Sequence, residues 1–128
     1  MAIRLKTEFR AAAHVRRAEA GGAFAAIVRR GDPDAGSLIV KVFFAGGGFG
    51  ASNMAGGPDG SNSADGAGPR AQVFLEGRAL DGAPTWRDPL SGPADEATVD
   101  AWLAKEIDFD PDLWIIEIED KEGRAFLE

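Results

Sequence analysis

Apolar and polar positions alternate most clearly near the end of the chain. Over residues 113–119, Trp114, Ile116 and Ile118 fall on one face of an extended segment; Leu113, Ile115, Glu117 and Glu119 fall on the other. The first set is wholly apolar and the second is half acidic, so the pattern predicts a central strand covered fully on one side and partly on the other. Pro111 stops any helix ahead of it, because it fixes its own φ and pushes Asp110 out of the helical region. Asp120 to Gly123 supplies a turn, after which residues 124–127 are expected to return as a short edge.

The same period of two recurs upstream. Residues 23–30 alternate Phe24, Ala26 and Val28 with Ala25, Ile27 and Arg29. Residues 37–44 place Leu38, Val40, Val42 and Phe44 opposite Ile39, Lys41 and Phe43. The turn formers of residues 30–36 are expected to join these two strands in a hairpin. A third strand is predicted over 72–78, and residues 80–93, rich in proline and glycine, read as a connection.

Helical periodicity appears twice. Residues 96–107, capped by Asp95, carry Val99, Trp102, Leu103 and Ile107 on one side, the cleaner stripe of the two. Residues 9–20 form an alanine- and arginine-rich run, with Thr7 as the expected N-cap and Gly21-Gly22 as the stop. Its stripe, Phe9, Ala12, Ala13 and Ala20, is interrupted by Arg16, and a short strand is the competing reading.

The order α-β-β-β-α-β predicts a single α+β domain: a two-layer sandwich of an antiparallel four-stranded sheet with two helices on one face. The other face would then mix Ile27, Arg29, Ile39, Lys41, Phe74, Glu76, Ile115, Glu117 and Glu119. Residues 45–69, dominated by glycine, serine, alanine, aspartate and asparagine, cannot bury enough surface to offset their ordering entropy and are expected to be flexible. Gly46-Gly-Gly-Phe-Gly50 lacks the Gly-Lys-Ser/Thr ending of a phosphate loop.

Charge sharpens the picture. The net charge of −7 divides into +4 over residues 1–50, −2 over 51–93 and −9 over 94–128. Such a chain can neutralise itself internally or show two poles to a partner. The acidic balance argues against nucleic acid. No run approaches the roughly 20 apolar residues needed to span a bilayer. With no cysteine and no secretory leader pattern, a cytoplasmic setting without disulfides or thiolate metal sites is expected.

Several segments together resemble one family. They are Arg4-Leu-Lys-Thr7, Arg16-Arg17, Arg29-Arg-Gly-Asp32 with Ala35-Gly36, Val40-Lys-Val42 and the run FDPDLWIIEIEDKEGR at residues 109–124. The chain is similar in these to DUF1491, an uncharacterised family of small alphaproteobacterial proteins. The resemblance implies a small soluble bacterial protein and carries over no activity, cofactor or site residue.

The residues themselves offer few chemical constellations. Asp108, Asp110 and Asp112 with Glu119 imitate the spacing of a calcium loop, but Leu113 stands where that loop needs glycine and a strand follows instead of a helix. No metal or other cofactor is therefore expected. His14, the sole histidine, has no nucleophile placed near it in sequence and reads as a helix-surface residue, so no catalytic residue is assigned. Arg16, Arg17, Arg29 and Arg30 suit a carboxylate or phosphate. For Arg16 the favoured reading is an internal ion pair with Glu117, Glu119 or Asp120. Trp86, in a polar loop beside Arg87 and Asp88, is the tryptophan best placed to stack on a ligand; Trp102 and Trp114 read as packing.

The candidate ligand- or partner-binding residues are therefore Arg16, Arg17, Arg29, Lys41, Trp86, Glu117 and Glu119. The leading expectation is a non-enzymatic interaction or regulatory module that acts through the mixed sheet face or the acidic C-terminal surface, meeting a protein partner or, through the sheet face, a second copy of itself. The alternative is a binder of small anionic ligands, or a weak enzyme, built on the arginines and Trp86. A double-stranded RNA reader ranks third, because the acidic second helix and tail repel phosphate.

Overall fold

The computed structural model describes residues 6–43 and 70–127. The glycine-rich segment 45–69, expected to be flexible, lies outside them. Among the described residues two helices, α1 (Thr7–Ala20) and α2 (Glu96–Phe109), accompany six strands: β1 (Phe24–Arg29), β2 (Leu38–Phe43), β3 (Arg70–Arg78), β4 (Pro84–Arg87), β5 (Ala94–Asp95) and β6 (Trp114–Glu119). The strand order is β1-β6-β2-β3-β4, with β5 also paired to β3.

The strand read as central from its alternation is central. β6 lies between β1 and β2, antiparallel to β1 with Phe24 opposite Glu119. It runs parallel to β2, with Leu38 opposite Trp114. Trp114, Ile116 and Ile118 are buried with Leu38, Val40 and Val42 beneath α1. Leu113 and Ile115 are buried on the other side with Ile39, Phe43, Val73 and the α2 residues Val99 and Leu103. Each large side chain removed from water in this way contributes roughly 1.5–3 kcal/mol.

The class is α+β, but its layering differs from the expected sandwich. The helices cover opposite faces, and the sheet is mixed and six-stranded, not antiparallel and four-stranded. The physical reason lies in β2, whose six residues are all buried. A strand apolar on both sides needs a cover on both sides, and one helix cannot supply two. The proposed mixed face is accordingly not one surface. Ile27 and Phe74 pack toward α1, while Ile39 and Ile115 pack toward α2.

The turn between β1 and β2 does not close a hairpin; it crosses the width of β6 and clasps its start. Asp32 N donates to Asp112 O (2.9 Å) and Trp114 N donates to Ser37 O (2.7 Å). The Trp114 indole Nε1 donates to Asp32 O (2.8 Å). Gly31 and Gly36 permit this approach, since a Cβ on either would collide with the Asp112 carbonyl. Arg30 lies over the Trp114 ring, 5.5 Å from its centroid.

α1 also differs in detail. Its buried stripe is Thr7, Ala11, His14 and Ala18, the i, i+4, i+7 pattern of one helical face. Phe9 is 57% exposed. Thr7 is the first helical residue, not the N-cap, and its hydroxyl donates to Gly36 O at 2.7 Å. The connection 80–93 contains β4, which forms a hairpin with β3 through a turn in which Gly82 takes the left-handed φ of +88°. Residues 124–127 form no strand. They fold onto α1, where Phe126 packs against Gly21.

Candidate functional site

Between α1 and the β3–β4 hairpin lies a partly open cavity of about 150 Å³, lined by Arg10, Ala13, His14, Arg17, Leu38, Glu76 and Trp86. Arg10, His14 and Arg17 project from one side of α1 because they are spaced i, i+4, i+7. Glu76 and Trp86 arrive together because they are directly paired in the β3–β4 ladder, and residues opposite one another in a ladder share a face.

The polar groups are tightly organised. Arg10 forms an ion pair with Glu76 and also donates to the Thr7 hydroxyl (3.2 Å). Arg17 Nε donates to Phe126 O at 3.0 Å, and its terminal nitrogen lies 3.1 Å from His14 Nδ1. A guanidinium can only donate. Nδ1 therefore accepts, and His14 Nε2 carries the proton that it donates to Ala125 O (2.8 Å). The His14 ring meets Trp86 edge-on, with centroids 5.9 Å apart. Two buried donors on residues lining this cavity, Arg10 Nε and Trp86 Nε1, have no hydrogen-bond partner among the described residues.

His14 is thus not the surface residue expected from sequence; it is 2% exposed. The stripe predicted on Phe9 lies on another face of α1 from the buried one, which carries His14.

The seven candidate residues fall in several places. Arg17 and Trp86 meet at the cavity. Arg16 is exposed on α1 and makes no ion pair with Glu117, Glu119 or Asp120, for two reasons: the buried stripe leaves it outside, and other cations hold two of those carboxylates. Arg124 pairs with Asp120 (2.9 Å). Lys41 holds Glu117 (3.6 Å). Arg29 donates to Pro111 O at 2.8 Å, fixing the approach to β6. Glu119 sits opposite Phe24 at the end of β6.

Lys41 occupies the opposite face from the cavity. Its ammonium donates to Glu96 (3.1 Å) and Asp100 (2.8 Å), one turn apart at the start of α2, and lies 4.6 Å from the Phe43 ring centroid. Burial lowers its pKa; the hydrogen bonds to Asp100 and Glu96 and the charge of Glu117 outweigh that, so the net shift is upward. This node docks α2 on the sheet. The Asp120 carboxyl is held down at about 2, first by the Arg124 side chain and then, against the opposing effect of burial, by the backbone N–H groups of Arg124 and Glu122.

Asp110, from the calcium-like spacing, uses its carboxylate to accept from Asp112 N (3.1 Å). Among the described residues no group of three or more histidine, aspartate or glutamate side chains is arranged to hold a metal. None of their helices is long and apolar enough to cross a membrane.

Arg10, His14 and Glu76 were not anticipated at the cavity. The i, i+4, i+7 spacing of Arg10, His14 and Arg17 was the available signal, masked by alanines on every face of α1. Glu76, expected on the face without helices, lies on the α1 face with Trp86.

Comparison with known proteins agrees with this fold. A crystal structure of a DUF1491 family protein from Caulobacter crescentus is 34% identical, with a TM-score of 0.70 over 97% of this chain and 95% of that one. An NMR structure of a DUF1491 family protein from the same organism is 33% identical, with a TM-score of 0.70 over 98% and 94%. Protein Atu0922 from A. tumefaciens, at 24% identity, shares the fold, with a TM-score of 0.68 over 98% and 93%. The curated proteins yield no match. The model of a protein family of unknown function, DUF1491, matches residues 5–128, and the chain belongs to that family.

Proposed function

We propose that the protein binds a small molecule carrying a carboxylate or phosphate in the cavity between α1 and the β3–β4 hairpin. The observation that supports this is the pair of orphaned donors, Arg10 Nε and Trp86 Nε1, on residues of one cavity. A buried donor without an acceptor costs about 1–3 kcal/mol, and an oxygen-rich ligand toward which the two side chains turn would relieve both. Arg10 and Arg17 bring two guanidinium groups to the described lining, and Glu76 pairs with the first of them. Leu38, Ala13 and the faces of Trp86 supply apolar wall. A cavity near 150 Å³ suits a group about the size of benzene, which favours a compact aromatic or phosphorylated ligand over a dinucleotide. On this reading the protein works in the cytoplasm as a binding module, consistent with its lack of cysteine.

The test is an NMR titration with benzoate and with inorganic phosphate. The indole N–H signal of Trp86, assigned by its loss in Trp86→Phe, should shift with a saturable dependence. The signals of Trp102 and Trp114 should stay in place. Arg10→Met should weaken the response at least tenfold while the fold is retained. No shift of the Trp86 signal with any small anion at millimolar concentration would remove the proposal. A second reading, partner binding, is favoured by the exposed Phe24 and Val28 of β1.

A further inference from the structure

The outer edge of β1 pairs with no strand among the described residues. Its side chains alternate between exposed and half-buried. Ala25 and Ile27 pack toward α1. Phe24, Ala26 and Val28 point to the α2 side of the sheet, but α2 lies over β3 and β5 and leaves this strip uncovered. Phe24 is 73% and Val28 51% exposed. An open edge with a bare apolar row is a template for strand addition, which natural proteins normally blunt with lysine, proline or a bulge. β1 has neither lysine nor proline, and only a register shift between Ile27 and Arg29 interrupts it.

The ends of the strip are oppositely charged. Beside its start lies a depression of about 250 Å³ lined by Phe24, Ala25, Ala26, the exposed Glu19 and Glu117, whose charge is shared with Lys41, so Glu19 gives this end its acidity. At its finish stand Arg29 and the exposed Arg30. A surface acidic at one end and basic at the other is complementary to its own copy turned by half a revolution, the requirement for an isologous twofold contact.

We infer that two copies of this chain associate through β1, antiparallel, to form one continuous sheet across the molecular twofold. Residues opposite one another in an antiparallel ladder lie on the same face. A twofold at Ala26 keeps that parity and is the register that sets Phe24 against the partner's Val28, at the register shift of β1. The two apolar rows then close over each other. Arg30 of each copy passes the partner's Gly22 and reaches the end of α1 that carries Glu19. Both α1 cavities remain on one side of the joined sheet and stay open, so ligand binding and association are separable.

The test is sedimentation of the full-length protein over a concentration series. The wild-type chain should show twice its 13.4 kDa mass. Val28→Lys, which puts an ammonium in the apolar row, should return it to monomer with an unchanged circular dichroism spectrum. Arg30→Glu and Glu19→Arg should each weaken association at least tenfold, and the double reversal should restore it. A wild-type chain that stays monomeric throughout overturns the inference. So does a dimer that survives both Val28→Lys and Arg30→Glu, since that dimer would use another surface. Loss of Trp86 ligand shifts without loss of the dimer would count against the cavity alone.

Discussion

Replacing Gly31 with alanine tests whether the β1–β2 turn is truly clasped on the entrance to β6. A Cβ at Gly31 would stand 2.6 Å from Leu113 O and closer still to Asp112 O, both backbone atoms at the entrance to β6. Neither can rotate away as a side chain would, so the turn and the strand must separate. Separation stretches the bond from Asp32 N to Asp112 O (2.9 Å) and the one from the Trp114 indole to Asp32 O (2.8 Å). Two hydrogen bonds contribute about 0.5–1.5 kcal/mol each, and forced overpacking costs about 1–3 kcal/mol. Alanine recovers about 0.4–1 kcal/mol by stiffening the unfolded chain. The net expectation is a loss of about 3 kcal/mol, a large share of the roughly 5–15 kcal/mol available to a domain. Urea unfolding followed by tryptophan fluorescence measures it. Gly77→Ala is the control, because a Cβ there would meet only the Thr85 hydroxyl at 3.3 Å, and it should cost under about 1 kcal/mol. A Gly31→Ala protein within 1 kcal/mol of wild type at equal slope would refute the clasp.

Lys41→Met should destabilise by about 2 kcal/mol, less than the 3–5 kcal/mol of a fully buried broken pair, because Glu96, Asp100 and Glu117 keep access to water. Adding Glu117→Gln should recover part of that loss in the same urea assay. The Asp120 carboxyl titrates lower in the folded than in the unfolded chain, so its contribution is complete above the ordinary value of 3.8 and disappears as pH falls toward about 2; Asp120→Asn should flatten the acid limb of stability against pH. Lys41 is shifted the other way; its contribution is full below the unfolded-chain value and fades as alkaline pH passes the folded one, a fall that Lys41→Met should abolish. His14→Leu strands Ala125 O and should cost about 1–3 kcal/mol, with faster amide exchange confined first to residues 124–127.

How far the sequence could be read depended on the range of the interactions involved. The faces of β6 were legible because alternation of Trp114, Ile116 and Ile118 with Leu113 and Ile115 is local. The α2 stripe was legible for the same reason. Insertion of β6 between β1 and β2 was not, since its partners lie more than 70 residues away and no local preference encodes a neighbour. β4 and β5, of four and two residues, are too short to show a period. α1 misled because its inward face is built of Thr7, Ala11, His14 and Ala18, while its largest apolar residue, Phe9, points out. Small inward residues let a helix sit close to a sheet of large ones, so bulk was the wrong guide to its orientation. At the cavity, Arg17 and Trp86 stood out by type. Arg10 and Glu76 did not, because a pair formed between a helix and a distant strand has no signature in either segment.

The segments by which the chain resembles its family acquire a physical meaning here. Arg29 to Gly36 and the run from residue 109 interlock: Arg29 reaches Pro111 O, Trp114 reaches Asp32 O, and Gly31 and Gly36 admit the Asp112 carbonyl. The end of that run is tied to α1 as Arg124 donates to Gly21 O at 3.0 Å. The charge split follows the same logic in part: Arg10 and Lys41 find carboxylates on β3, α2 and β6, and Arg17 and Arg29 find backbone carbonyls near the C-terminus. These contacts build the scaffold. Of the residues lining the cavity, only Arg17 belongs to those segments; Arg10, His14, Glu76 and Trp86 lie outside them. Scaffold and cavity are thus carried by different residues, so the cavity can be altered without dismantling the clasp. Trp86→Phe should therefore leave urea stability within about 1 kcal/mol of wild type, whereas Gly31→Ala should lower it yet keep the Trp86 ligand response at concentrations of urea where it stays folded.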